Sequence, residues 1–136
     1  LKEKNKNIKI YLSDPKGSCL YNYIKTKEFK SEGNSITEGI GSSRTTKNFD
    51  KALIDDAYSI DDTRALTVLF DLIEKEGLSL GTSSGINVAG AIKLAQELGP
   101  NKTIVTILCD KSDRYQGKLF NKKFLMDKNL PYPRWL

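Results

Sequence analysis

The stretch GTSSGINVAGA, residues 81–91, places three small hydroxyl residues between two glycines and runs directly into an alanine-rich helical pattern. Glycine loses more conformational entropy on folding than other residues, so this spacing indicates that something approaches the backbone closely. Helix-start amides carry partial positive charge, and Ser83 and Ser84 are placed either to cap the helix or to bind a ligand. The same residues are equally compatible with a capped helix that packs tightly on a sheet. Both interpretations stay open at this point.

Three strand-like segments surround this helix. Alternating Ile8, Ile10 and Leu12 predict a strand that ends at the turn SDP, and residues 57–60 predict a second short strand. Residues 103–109, TIVTILC, are β-branched and apolar throughout, which is typical of a strand covered on both faces.

Two helical patterns lie between these strands. Residues 61–77 predict a helix that is capped by Asp61 or Asp62 at its start and by Gly77 at its end. A second helix is predicted from about Ile86 to Leu98. Its expected inward-facing residues are Val88, Ala91, Ile92 and Ala95.

Alternation of strands and helices predicts an α/β fold with three layers, in which a mostly parallel twisted sheet is flanked by helices. We expect residues 1–136 to form a single α/β domain. The opening LKEKNKNIKI lacks an initiator methionine and resembles the tail of a helix, so we expect a segment of a longer protein.

Two further segments fall where a parallel sheet binds ligands, at the carboxyl ends of its strands. TEGIG, residues 37–41, has glycines that suit either a flat ligand or a plain turn. After the strand predicted at residues 103–109, Asp110 and Ser112 either face a bound ring or cap a helix that begins near Asp113.

Composition excludes several function classes. The sequence has no histidine, which excludes Ser–His–Asp and Cys–His catalysis and removes the commonest metal ligand. Cys19 and Cys109 lack metal-type spacing, so free thiols in a cytoplasmic protein are expected.

The charged residues do not indicate a nucleic-acid partner. The 22 basic residues are interleaved with 17 acidic ones, so the net charge of +5 predicts a solvated surface. No apolar run is long enough for a membrane span.

Five stretches, taken together, resemble one family. In chain order they are SDPKGSCLYNYI, EGIG, EGLSLGTSSGINVAGAIKLA, TIVTILCDKSDRYQGKLFN and LPYPRWL. Their order and spacing resemble the carboxyl-terminal half of cysteine synthase (O-acetylserine sulfhydrylase), a fold-type-II enzyme that uses pyridoxal 5'-phosphate (PLP). The resemblance covers essentially the whole chain and therefore implies that residues 1–136 are a single incomplete α/β domain, part of the large domain of such an enzyme.

The resemblance implies the positions of the cofactor contacts. Gly39, Ile40 and Gly41 would line the cofactor and substrate cleft, and Ser83 and Ser84 would begin the helix behind the cofactor. The turn after the last strand would face the pyridine nitrogen. Family members carry serine there in two patterns, and aligned on Arg114–Tyr115 these serines fall on Asp110 and on Lys111. We therefore expect Asp110 to face the ring, with Ser112 as the second choice and Lys111 pointing to solvent.

The resemblance also implies what the chain lacks. None of its lysines lies in an apolar or glycine-rich context that would make it a Schiff-base former. In the family that lysine and the phosphate-binding loop precede the matched region, so the segment alone is expected to be inactive. The implied substrates are O-acetylserine and sulfide or another thiol, and the implied assembly is a homodimer. Related enzymes on the same fold, cystathionine β-synthase and serine dehydratase, and a non-catalytic interaction module are the alternatives.

Overall fold

Two parallel strands form the sheet of the computed structural model, which describes residues 1–136. Strand β1 spans Tyr11–Pro15 and β2 spans Asp56–Ile60, with Ser13 opposite Tyr58. The first strand was expected at residues 8–12, so it begins later than the alternating pattern predicts. Its last two residues are Asp14 and Pro15, which the sequence assigned to a closing turn.

Six α-helices and one 3-10 turn complete the fold. The helices are α1 (Leu20–Thr26), α2 (Lys47–Asp50), α3 (Asp62–Glu76), α4 (Thr82–Leu98), α5 (Gln116–Leu119) and α6 (Lys122–Asp127), and the 3-10 turn spans Ser112–Tyr115. None of them combines the length and hydropathy that a bilayer crossing requires.

The helices cover both faces of the sheet. Successive side chains of a strand point to opposite faces, so Ser13 and Asp14 mark the two sides of β1. Ser13 lies against Gly90 of α4, whereas Asp14 accepts a hydrogen bond from the Tyr21 amide of α1 at 2.8 Å. The three-layer α/β class is therefore confirmed, with α1 on one side and α4, backed by α3, on the other.

Helix α3 confirms the predicted caps. The Asp61 carboxylate accepts a hydrogen bond from the Arg64 amide at 2.8 Å, which makes Asp61 the N-cap. Gly77 ends the helix in the left-handed region, with φ of 67°, where glycine is the least strained residue. Asp62 instead accepts a hydrogen bond from the Ile36 amide at 2.8 Å and so fixes the long loop before β2 to α3.

Helix α4 begins four residues earlier than predicted. Gly81 is its N-cap, so the three hydroxyl residues form the first turn and are buried there. The predicted inward-facing set is correct in part: Val88 and Ile92 are partly buried and pack against the hydrophobic core, whereas Ala91 is only partly buried and Ala95 is exposed. The buried face of the helix consists of Ile86, Ala89, Gly90 and Leu94, together with the residues of its first turn.

Protein atoms fill the space that the glycines of α4 leave open. A Cβ at Gly85 would lie 2.8 Å from both the Ala65 carbonyl oxygen and Leu69 Cγ of α3. A Cβ at Gly90 would lie 2.9 Å from Ser13 Cβ of β1. The tightly packed helix is therefore the correct interpretation at these two positions, and no ligand is needed to explain them.

Residues 103–109 do not form the buried strand that was expected. Val105 is 88% exposed and Ile107 is 70% exposed, and no backbone–backbone hydrogen bond involves residues 103–108. A continuous apolar run becomes a buried strand only if neighbouring strands and helices are present to cover it. In this chain the segment is hydrogen-bonded to α4, through Asn87 and Ser84, and only Ile104 packs against the hydrophobic core.

The proline-containing tail is held against α3. The Trp135 indole N–H donates a hydrogen bond to Glu74 at 2.7 Å, and its ring packs edge-on against Phe70. Both cysteines are free thiols, as predicted, with Cys19 buried and Cys109 exposed.

We predict that Gly85→Ala lowers the free energy of unfolding by about 1–3 kcal/mol, because the added methyl group overpacks a contact with α3 backbone. Urea denaturation of both proteins measures the change. Gly117→Ala is the matched control, since nothing lies within 4 Å of a Cβ there. The control should stabilise α5 by about 0.4–1 kcal/mol, and equal effects of the two substitutions would contradict the packing.

Candidate functional site

The first turn of α4 is the meeting point of the segments that the sequence singled out. The Gly81 amide donates to the Asp110 carbonyl at 2.9 Å, and the Cys109 amide donates to Ser84 Oγ at 3.0 Å. From the other side, the Glu38 amide donates to Thr82 Oγ1 at 3.3 Å. The helix start therefore joins the turn after residues 103–109 to the TEGIG loop.

Asp110 lies within this junction, and only one of its two carboxylate oxygens is hydrogen-bonded. Its Oδ2 accepts a hydrogen bond from the Tyr115 hydroxyl at 2.6 Å, and this bond, together with burial, raises the pKa of Tyr115. Its Oδ1 is buried without a hydrogen-bond partner. Gly81 makes room for this arrangement, because a Cβ there would lie 2.6 Å from a Tyr115 ring carbon and closer still to Asp110 Oδ1.

Ser112 is paired within the same turn. Its Oγ lies 2.6 Å from Ser79 Oγ, and its amide donates to the Ser79 carbonyl at 3.3 Å. Neither Asp110 nor Ser112 caps the following 3-10 turn through its side chain, so the capping alternative is wrong for both. Lys111 is exposed, as predicted.

The TEGIG loop borders a polar cavity of about 350 Å³ at the carboxyl end of β1. Gly41 has φ of 82°, and a Cβ there would lie 2.8 Å from Pro15 Cγ, so glycine is needed for both reasons. Ile40 lines the cavity beside Gly41 and also packs against the hydrophobic core. Gly39 is exposed and does not line this cavity.

Few donors in the cavity lining are free to bind an anion. The hydroxyl groups of Ser18, Ser35 and Ser42 already donate to the Ser42 carbonyl, to Asp62 and to the Arg44 carbonyl. The lining therefore offers Lys16, which carries its only formal charge, and the Ser43 hydroxyl. Hydroxyl groups and an ammonium group are donors that can bind a carboxylate or a phosphate.

Asp14 is a buried group that sequence reasoning did not select. It is 1% exposed, its Oδ1 has no hydrogen-bond partner, and burial raises the pKa of its carboxyl group. The signal was present in the segment SDPKGS, but Asp–Pro was interpreted there as a simple turn. The carboxylate instead connects the end of β1 to the start of α1.

Most of the predicted site residues therefore lie around one helix start. Ser84 is bonded to the Asp110 turn, Ser83 is buried beside it, and Ser112 follows within the same turn. Ile40 and Gly41 lie on the cavity, and the neighbouring Glu38 connects their loop to Thr82. Gly39 is exposed and lies outside the cavity lining.

A sequence model of the pyridoxal-phosphate dependent enzyme family matches residues 1–110. The chain belongs to this family. It is 42% identical over 127 residues to cysteine synthase 1 of Neurospora crassa. This alignment covers 90% of this chain and 34% of that protein. It is 40% identical over 139 residues to cysteine synthase of Dictyostelium discoideum, in an alignment that covers 95% of this chain and 37% of that protein.

Solved structures of the family share the fold. The O-acetylserine dependent cystathionine beta-synthase of Helicobacter pylori superposes with a TM-score of 0.76 at 32% identity, covering 87% of this chain and 36% of that one. The chain thus spans about a third of the length of its relatives. The expected PLP-dependent family is confirmed, and the placement of the chain in the carboxyl-terminal half of such an enzyme stays a prediction.

The residues present fit the family's cofactor in their donor and acceptor chemistry. A buried carboxylate oxygen without a partner is the acceptor that a protonated pyridine nitrogen requires, and Asp110 Oδ1 is such an atom. The cavity bordered by Gly41 adds the Lys16 ammonium group and the Ser43 hydroxyl at the carboxyl end of β1. Family sites of this kind combine orientation of the ring with electrostatic tuning of its nitrogen.

We predict that Asp14→Asn stabilises the protein more at about pH 7 than at about pH 3.5. Because the folded pKa of Asp14 is raised above 3.8, the folded state binds this proton more tightly than the unfolded state. That stabilisation is complete below the unfolded pKa and is lost as the pH rises through the folded pKa. Asparagine keeps an acceptor for the Tyr21 amide but does not titrate.

Urea denaturation at the two pH values measures the difference in unfolding free energy between the variant and the unmodified chain. We expect that difference to shift in favour of the variant as the pH rises. A constant difference, or a shift in the opposite direction, would show that burial does not control the Asp14 carboxylate.

Proposed function

We propose that this chain is one part of a PLP-dependent cysteine synthase, which converts O-acetylserine and sulfide to cysteine and acetate. The observation that carries the proposal is the 40–42% identity to two cysteine synthases across nearly the whole chain. Asp110 and the TEGIG loop both contact the start of α4, and the same loop borders the cavity, which supports a shared binding site. The reaction is a β-replacement, and the enzyme would act in amino-acid metabolism as a transferase or lyase.

Bound PLP supplies the electron sink for this chemistry, and the residues of this chain orient it. Asp110 would accept a hydrogen bond from the pyridine nitrogen through Oδ1, with Ser112 as the second choice. An aspartate favours the protonated ring more strongly than a serine hydroxyl does, because its negative charge stabilises the positive nitrogen. The Tyr115 hydroxyl holds the carboxylate in place through Oδ2.

The substrate would lie in the cavity beside Gly41. Lys16 and Ser43 would bind the carboxylate of the amino acid, and Ile40 and Gly41 would form the wall of the cleft, with Gly39 in the same loop outside the cavity lining. Ser83 and Ser84 would support the turn that carries Asp110, because Ser84 accepts the Cys109 amide.

Other features of the proposed enzyme do not depend on the residues of this chain. The Schiff-base lysine and the phosphate site would come from the part of the fold that this chain does not span, so the segment alone would be inactive. The complete enzyme would be a cytoplasmic homodimer. These expectations rest on the family resemblance.

A cystathionine β-synthase activity is the second candidate. The Helicobacter pylori structure and a Bacillus subtilis relative, 36% identical over 118 residues, are both described as O-acetylserine dependent cystathionine beta-synthases. Such an enzyme would use the same donor with homocysteine in place of sulfide. A serine dehydratase or a non-catalytic module would be indicated by loss of both replacement activities.

The direct test uses this chain co-produced with the part of the Dictyostelium discoideum cysteine synthase that precedes its matched segment. O-acetylserine is supplied with sulfide or with homocysteine, and cysteine and cystathionine are quantified. Cysteine as the main product supports the proposal, and cystathionine supports the second candidate. An assembly that binds PLP but forms neither product contradicts both.

We predict that Asp110→Asn weakens PLP binding in this assembly at least tenfold and shifts the visible absorbance of bound PLP, because an amide cannot stabilise a protonated ring nitrogen. Ser112→Ala should leave the visible absorbance of bound PLP unchanged. Asp113→Asn, which changes an exposed aspartate in the same turn, is the matched control. A spectral shift in Ser112→Ala alone would assign the ring contact to Ser112 instead.

A further inference from the structure

The side chain of Lys118 extends from helix α5 to the TEGIG loop. Its ammonium group donates a hydrogen bond to the Ile36 carbonyl at 3.2 Å and forms an ion pair with the Glu38 carboxylate. Of the six ion pairs in the structure, this one alone connects two segments of the candidate site.

The backbone that carries Lys118 is fixed in the hydrophobic core. Tyr115 and Leu119 lie on either side of Lys118 in the chain, and both are buried in one cluster with Leu66 of α3. The Tyr115 hydroxyl also donates to Asp110 Oδ2 at 2.6 Å. Residues 112–119 therefore contact the Asp110 carboxylate through one side chain and the TEGIG loop through another.

The TEGIG loop is anchored near its two ends. Asp62 Oδ2 accepts a hydrogen bond from the Ile36 amide at 2.8 Å, and Ser18 Oγ accepts one from the Ser42 amide at 2.9 Å. No backbone–backbone hydrogen bond involves residues 33–41. The middle of the loop therefore depends on side-chain contacts for its position.

Glu38 makes the polar contacts of this middle part. Its amide donates to Thr82 Oγ1 at 3.3 Å, which is long for an N–H···O bond, whereas its carboxylate is paired with Lys118. A hydrogen bond between two charged groups is roughly twice as strong as one between neutral groups. Lys118 therefore supplies the strongest polar contact between the loop anchors.

The ion pair lies behind the wall of the cavity. Thr37, Ile40 and Gly41 line the cavity, but Glu38 and Lys118 do not. The Lys118 side chain is 33% exposed and that of Glu38 is 57% exposed, so the pair contributes little to the stability of the fold. A substitution at Lys118 can therefore loosen the cavity wall without unfolding the chain or removing a group that lines the cavity.

We propose that Lys118 is a positioning residue, which holds the TEGIG loop so that the cavity wall is in place when an amino-acid substrate binds. The inference rests on the proposed function for one step, namely the binding of the substrate carboxylate in this cavity. A substrate that must first order a loose loop binds more weakly than one that meets a preformed wall. The bond between Tyr115 and Asp110 does not involve Lys118, so the contact with the ring should be unaffected.

Hydrogen–deuterium exchange with mass spectrometry tests the position of the loop without any activity. In this chain with Lys118→Met, the amides of residues 36–41 should exchange at least about threefold faster than in the unmodified chain, because the loop opens at a lower cost. Lys123→Met is the matched control, since Lys123 is an exposed lysine of the neighbouring helix α6 that forms no ion pair. Exchange of the loop in the control should equal that of the unmodified chain.

Steady-state kinetics of the assembly co-produced for the activity assay test the effect on substrate binding. In Lys118→Met the KM for O-acetylserine should rise by about three- to tenfold and kcat should stay within about twofold, because binding is weakened equally in the ground state and the transition state. Lys118→Arg should keep the KM within about twofold, since a guanidinium group also donates to both oxygens. Glu38→Gln should raise the KM less than Lys118→Met does, because the bond to the Ile36 carbonyl remains.

Three results would overturn the proposal. They are unchanged exchange of residues 36–41 in Lys118→Met, a fall in kcat with an unchanged KM, and equal effects of Lys118→Met and Lys123→Met. The proposed function fails separately, when the assembly makes neither cysteine nor cystathionine. In that case the exchange experiment alone still decides whether Lys118 holds the loop.

Discussion

Close packing of helix α4 against its neighbours is the constraint on which the other features depend. The helix lacks side chains where it meets α3 at Gly85 and β1 at Gly90, and its N-cap Gly81 leaves space for Asp110 and Tyr115. Removing a side chain lets two backbones approach closely, at a cost in helix propensity of about 1 kcal/mol per glycine. The same helix therefore sets the position of the sheet and of the turn that carries Asp110.

This constraint connects the hydrophobic core to the candidate site. Two hydroxyl groups of the first turn hold neighbouring segments, because Ser84 and Thr82 accept hydrogen bonds from the amides of Cys109 and Glu38. The turn after residues 103–109 and the TEGIG loop are thereby held against one helix start. In this arrangement a cofactor would bind to groups that α4 positions, and α4 itself would contribute mainly as a scaffold.

The sequence allowed accurate prediction where the signals are local. Asp61 and Gly77 bound α3 because a cap needs only its own helix, and the family resemblance rested on motifs in a fixed order. Burial was predicted wrongly for residues 103–109, since it depends on strands that the chain does not contain. The partners of Asp110 and Asp14 were also beyond sequence reasoning, because both bonds depend on how separate elements pack.

The most direct test of the central role of α4 is a double-mutant cycle between Gly90→Ala and Ser13→Ala. A methyl group at Gly90 clashes with the Ser13 side chain, so the two substitutions should be coupled by about 1 kcal/mol or more in unfolding free energy, with Ser13→Ala partly relieving the cost of Gly90→Ala. Strictly additive effects would show that α4 and β1 are not in close contact, and the account of both the fold and the site would be contradicted.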